Sequence, residues 1–216
     1  MARSRTPIPN PRDVDTEQKI LEAAKRVFVR RGTAGARMQE IAEEAGVNQA
    51  LLHYYFRSKD RLADTVFQEL AGRLLPGVIG VLGADTPLET KVERLVHLYI
   101  DNVRQAPFIP AYIVAEIHQQ PDRLLTVLER TRVSAADAQR VLGGLAAQLE
   151  TAAAAGKIRP IAPLQFLTSL MGVIVAPFLV RPVLQGAFGM SDDDFAHFLD
   201  ARRAELPAFV LGALRP

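Results

Sequence analysis

Met38-Gln-Glu-Ile41-Ala42-Glu-Glu-Ala45-Gly46-Val47-Asn48-Gln49-Ala50-Leu51-Leu52-His53-Tyr54-Tyr55-Phe56-Arg57-Ser58 is the stretch on which the fold turns. Met38, Ile41, Ala42 and Ala45 share one face of a short helix, about 37–44. A second short helix, about 48–55, is closed by Arg57 and Ser58. Between them Gly46 tolerates a sharp turn, and Ala45 and Val47 lock the crossing angle, which is the helix-turn-helix pattern. Helices this short are marginal alone, so packing must hold them. The second exposes Asn48, Gln49, His53 and Tyr54, groups suited to base edges and phosphates. No acid occurs from Gly46 to Ser58, which suits a surface that approaches a polyanion. Spacing alone leaves an ordinary helical hairpin open.

Working outward, Ile20, Ala24, Val27 and Phe28 lie on one helical face, and Gly32 stops that helix behind Arg30 and Arg31. Before it, residues 1–12 carry Pro7, Pro9 and Pro11 with Arg3, Arg5 and Arg12. They read as an extended basic arm, either reaching a minor groove or remaining a solvated tail. On the other side, Ser58 is the expected N-cap of a helix running to about Leu75, before Pro76. Thr86-Pro87-Leu88-Glu89 predicts a capping box and a helix to about Arg104. A helix through Tyr112, Ile113 and Glu116 follows, then a short one from Pro121 to about Glu129. Residues 131–155 read as one long helix stopped by Gly156, residues 163–180 as a very apolar one, and Ser191 to Asp194 caps a last helix that Pro207 bends. The expected fold is all-α. A flexible arm (1–12) precedes a compact three-helix unit that holds the helix-turn-helix (13–62), followed by a larger helical body (63–216).

Composition narrows the classes further. With 216 residues, 49% apolar and 23% charged, the chain is neither disordered nor collagen-like. Cysteine is absent, which excludes disulfides, zinc knuckles and a thiolate nucleophile. The basic, proline-rich start shows no apolar leader, so a cytoplasmic protein is expected. Net charge is +2, but residues 1–62 hold twelve Lys and Arg against eight Asp and Glu, while the remainder is slightly acidic. That asymmetry suggests a polyanion contact at the N-terminal end, the alternative being an excess of a size that occurs by chance on many surfaces.

Ile20-Leu21-x-Ala23-Ala24, Phe28, Gly32, Met38-x-x-Ile41-Ala42-x-x-Ala45-Gly46-Val47 and Leu52-x-Tyr54-Tyr55-Phe56-x-Ser58-Lys59-x-x-Leu62 closely resemble the DNA-binding domain of TetR-family transcriptional regulators, without a gap. The resemblance implies a recognition helix from Asn48 to Tyr54 in the major groove, Ala50 included, and Lys59 on a phosphate. Two departures stand out. Ala36 and Arg37 replace the threonine or serine usual in the family, weakening the cap and leaving Arg37 to meet phosphate as a cation. His53 stands where tyrosine is common, and its titratable ring would make binding weakly pH-sensitive. Asn48 is either a base reader or a helix cap. Ile41, Ala42, Val47, Leu52 and Phe56 are read as core, and Tyr54 and Tyr55 divide between phosphate and core.

Downstream of Leu75 only helix number, order and length resemble the family's regulatory domain. Tyr99, Phe108, Tyr112, Phe166, Met171 and Phe178, with Glu116 and His118 as polar groups, are candidates to line an apolar pocket for an unidentified small-molecule effector. Plain core packing is the alternative for each. The uncharged run from Ile161 to Val180 is long enough to cross a membrane, but Pro163, Gln165, Thr168, Ser169, Gly172 and Pro177 interrupt it and no membrane partner is expected. The resemblance implies instead that this helix is buried in a homodimer interface, with Gly143, Ala147, Leu170, Val173 and Ile174 as candidates. The four histidines share no metal-ligand spacing, and neither a phosphate-binding glycine loop nor a nucleophile elbow occurs, so no metal, cofactor or catalytic set is expected. The expected function is a ligand-responsive transcriptional repressor on a pseudo-palindromic DNA operator, released by a small apolar effector. The alternative is a ligand-independent or partner-regulated DNA-binding protein of the same fold.

Overall fold

The computed structural model describes residues 11–131 and 134–216, and no strand occurs among them. In chain order the helices are α1 (Pro11–Gly35), α2 (Met38–Ala45), α3 (Gln49–Phe56), α4 (Lys59–Gly83), α5 (Leu88–Val103), α6 (Ile109–Gln119), α7 (Asp122–Arg130), α8 (Ala135–Ala154), α9 (Pro163–Leu179), α10 (Arg181–Phe188) and α11 (Asp192–Ala213). Arg3 and Arg5 of the expected arm lie outside the described residues. Pro11 and Arg12 are not arm but the first turn of α1, where proline's fixed φ suits a helix start.

The helix-turn-helix is built by its caps. Gly32 leaves helical geometry at φ 66° and ψ 162°, which turns the chain at the end of α1. Gly46 sits in the left-handed region at φ 67° and ψ 30°. There its own N–H and that of Val47 reach back to the carbonyls of Glu43 and Ala42 and close α2. Ile20, Ala24, Val27, Phe28, Ile41, Leu52 and Leu62 are fully buried where α1 to α4 meet. Each short helix is thus stabilised mainly by its apolar face, in keeping with its length.

Several element boundaries differ from expectation. α4 does not stop before Pro76 but runs through it to Gly83. An interior proline costs about 3 kcal/mol; here Leu62, Val66, Phe67 and Leu70 pack one end of α4, and Leu82 buries the other. The box expected at Thr86 does not form. Pro87 is the N-cap of α5, no side chain caps it, and the Thr86 hydroxyl is buried without a partner among the described residues. A box does form at the start of α8, where Ser134 and Asp137 exchange hydrogen bonds, and another at Ser191 and Asp194 before α11. In α11 Pro207 is accommodated within the helix. α10 falls between the apolar helix and the last helix that the sequence predicts.

Two apolar cores result. The first joins α1–α4 and also takes in Tyr112 of α6 and Val127 of α7. The second lies among α5, α8, α9 and α11, where Phe178 packs between Tyr99 at 5.8 Å and Phe195 at 6.0 Å between ring centres. α4 contributes to both and runs without a break from one to the other.

Candidate nucleic-acid interface

α3 is anchored by its inner face, where Leu52 and Phe56 are buried. Its outer face carries Gln49, Ala50, His53 and Tyr54, all exposed, with Tyr54 at 77%. Tyr55 turns inward against the core and meets the Tyr54 ring edge-on at 5.4 Å. The Asn48 side-chain oxygen accepts from the Leu51 N–H at 2.7 Å, so this group is engaged as the cap of α3. At the other end, Arg57 holds a positive φ of 52°, unusual for a side chain with a Cβ. His53 secures that turn twice. Its carbonyl accepts the Arg57 N–H at 2.9 Å, and its Nδ1 lies 3.2 Å from the Arg57 carbonyl, a pairing in which the ring nitrogen donates. One ring nitrogen of His53 is therefore spent on the turn.

Lys59, at the first position of α4, donates to the carbonyls of both Ala34 and Ala36 at 3.1 Å. One carbonyl lies in the last turn of α1 and the other in the loop to α2, and the ammonium ties that segment to the start of α4. Arg37 is the exposed, extended N-cap of α2, and its side chain makes no cap. Two of the three acids of α2 are drawn away by arginines of α1: Arg26 and Arg30 hold Glu44 at 2.8 Å each, and Arg31 holds Glu40 at 2.9 Å. The hydrogen bond from Arg26, with that from Arg30, keeps the Glu44 carboxyl below its ordinary pKa. The outer face of α3 is left free of acid.

The eight residues expected around an effector do not share one cavity. Tyr99, Phe166 and Phe178 are fully packed in the body core, with Met171 partly buried beside them. Phe108 is 43% exposed at the start of α6, and His118 is exposed near its end. Tyr112 and Glu116 belong elsewhere. Tyr112 completes the N-terminal core, its hydroxyl 3.4 Å from that of Thr33, and burial pushes its pKa up to about 12. Glu116, 1% exposed, pairs with Arg123 and also accepts the Thr33 N–H at 3.4 Å. Arg123 reaches Asp64 at 2.9 Å. A buried carboxylate needs such partners, and these join the end of α1 to α4, α6 and α7. No local pattern announces this junction, because Thr33 and Glu116 are 83 positions apart.

The expected interface residues also divide. Leu170 and Ile174 are 1% exposed inside their own subunit and cannot face a second one. Gly143 and Ala147 are exposed on α8, with Ala147 beside the start of α5. Val173 is half-buried and lines a groove between α9 and α11 with Ala176, Val180, Phe198, Leu206 and Phe209. Arg202 crosses that groove, donating to the Val173 carbonyl at 2.5 Å and lying over the Phe198 ring at 5.5 Å. The run Ile161–Val180 is thus mostly α9, with Phe166, Leu170, Ile174, Pro177 and Phe178 turned into the subunit.

A recognition-type helix presented on a glycine-closed turn, with no acid on its outer face, is the arrangement of a DNA-binding transcriptional regulator. Residues 20–66 match the family of bacterial regulatory proteins described as tetR. The chain is 29% identical over 147 residues to the HTH-type transcriptional regulator BetI of Rhizobium meliloti, covering 61% of this chain and 72% of that one. It is 30% identical over 86 residues to the HTH-type nicotine-responsive transcriptional repressor HdnoR of Paenarthrobacter nicotinovorans, covering 40% and 44%. Over nearly the whole fold it is similar to the ketosteroid transcriptional regulator KstR2 of Mycobacterium tuberculosis, with TM-score 0.65, 14% identity and 97% of each chain covered. The chain is thus similar to TetR-family transcriptional regulators, by sequence through residues 20–66 and by fold over nearly its whole length.

Proposed function

We propose that this protein is a cytoplasmic repressor that binds a pseudo-palindromic operator as a homodimer and is released by a small effector held in its helical body. The observation that carries the reading is the acid-free outer face of α3, fixed at one end by Asn48 and at the other by His53 and Arg57. Gln49, Ala50, His53 and Tyr54 meet the major groove, while Arg37 and Lys59 meet phosphates. The DNA-binding unit is residues 13–62, preceded by a basic arm, and residues 63–216 regulate and dimerise. Support for the homodimer comes from the apolar groove between α9 and α11, beside which Val180, Val183 and Phe209 are exposed. Support for ligand release comes from the buried Thr33–Glu116–Arg123–Asp64 junction, since a shift of α6 or α4 must move the end of α1 and with it the spacing of paired recognition helices. Regulation without a ligand is the second reading, favoured by the close packing of Tyr99, Phe166 and Phe178 where an apolar effector was expected.

Selection of bound duplexes from a random pool tests the proposal. The expected outcome is an inverted repeat with half-site centres about one helical turn apart, occupied by two protomers in sedimentation. A lone half-site bound by one protomer, or binding with no sequence preference, overturns it.

A further inference from the structure

At the end of the body remote from α3, the loop between α4 and α5 and the flank of α8 enclose a pocket of about 400 Å³. Its wall is unusually polar for a helical bundle. Lys91 of α5 is 5% exposed and spends one of its three donors on the Leu82 carbonyl at 2.8 Å. Arg140 of α8 stands at the rim with its side chain mostly in solvent, where it pairs with Asp137 at 2.7 Å through one of its five donors. Gln148 gives its amide N–H to the Thr86 carbonyl at 2.8 Å, leaving its own side-chain oxygen buried without a partner among the described residues. The Thr86 hydroxyl is in the same state. Asp85 completes the lining.

We infer that this pocket is a binding site for a small hydroxylated anion, a hydroxycarboxylate or a sugar phosphate. Two cations, one of them buried, suit an anionic head group. The buried oxygens of Gln148 and Thr86 and the Asp85 carboxylate suit hydroxyl donors on the same molecule, and a buried polar atom left unpaired favours whatever ligand satisfies it. Asp85 repels a bare anion, so the hydroxyl groups are a requirement rather than an embellishment. Burial lowers the pKa of Lys91 while Asp85 opposes that shift, and an anion beside the ammonium would favour its charged form further. The site is separate from the α3 face and from the aromatic core, and its ligand need not be the one that releases DNA.

Calorimetric titration of the whole protein with inorganic phosphate, L-malate and D-glucose 6-phosphate tests the inference. The expected result is saturable binding of malate or glucose 6-phosphate, the stronger of the two identifying the head group, with inorganic phosphate weaker than that ligand. Lys91→Met should weaken the bound anion by about tenfold or more, Gln148→Leu should erase its advantage over inorganic phosphate, and Arg94→Ala on the outside of α5 should change neither. If Lys91→Met loses its cooperative melting transition, Arg140→Ala, on a solvent-exposed side chain, decides in its place. Binding of none of the three, or binding that survives these substitutions in folded protein, overturns the inference. Neither outcome depends on DNA binding, so failure here leaves the proposed repressor role standing.

Discussion

Lysine 59 serves two backbone carbonyls at once, and that changes what its removal should do. Its ammonium spends two donors on Ala34 and Ala36, so it both holds the α1–α2 loop and presents positive charge beside α3. Lys59→Ala should lower operator and random-duplex affinity by similar factors, because phosphate contacts carry no sequence information. It should also flatten the salt dependence by about one log–log unit per lost contact and cost about 1 kcal/mol of stability from the freed loop. Gln49→Ala should leave the salt slope nearly unchanged and narrow the gap between operator and random DNA by roughly 1–3 kcal/mol per half-site. A salt titration of both variants on both duplexes checks this, and reversed behaviour would show the docking to be wrong. The residue scale is also where reading the chain was least decisive. Asn48 suited a reader or a cap, and only the 2.7 Å contact to Leu51 separates them. His53 reads as a ring with both nitrogens free to meet DNA until the Arg57 turn folds back onto it.

Among the elements, α9 shows why a continuous apolar run is hard to interpret. Without polar residues at a helical period, nothing in the run says which face is kept within the subunit and which is offered outward. Leu170 and Ile174 turned out to be interior, whereas the outward groove is shared with α11 and includes Phe209, which is 66% exposed. Phe209→Glu should therefore leave the subunit folded, as substitutions at exposed positions usually change stability by less than about 0.5 kcal/mol. It should nevertheless yield monomers in sedimentation at concentrations where the unsubstituted chain is paired. An undiminished dimer would place the interface elsewhere. Ile174→Glu should instead abolish folding, since it buries an unpaired charge within the subunit. Caps follow the same logic at shorter range. The Ser191 and Ser58 caps were legible because their partners lie three residues away, while the N-cap of α5 falls on Pro87 and not Thr86, and Gln148 of α8 holds the Thr86 carbonyl beside it.

For the molecule as a whole, each apolar core holds one buried phenol, Tyr112 in the first and Tyr99 in the second, and burial raises both from an ordinary 10 to about 12. A folded-state pKa above the unfolded one means that the unfolded chain gives up its proton first. The contribution is complete below pH 10 and is lost as pH climbs from 10 to 12, at about 1.4 kcal/mol per pH unit for each phenol. Denaturant melts across that window should show the decline, and Tyr99→Phe or Tyr112→Phe should each reduce its slope; an unchanged slope in both would mean that the phenols ionise without unfolding. At this scale the division of labour between chain and fold is plain. The sequence alone determined the all-helical class, the helix-turn-helix at 38–58 and the capped starts of α4 and α11, because each depends on residues within a few turns of one another. Tertiary structure alone decided that Tyr112 and Glu116 join the DNA-binding unit, that α9 turns Leu170 and Ile174 inward, and that Lys91, Thr86 and Gln148 share one pocket. Those outcomes rest on contacts between helices far apart in the chain, and a helical period specifies that a face is apolar without specifying which surface will cover it.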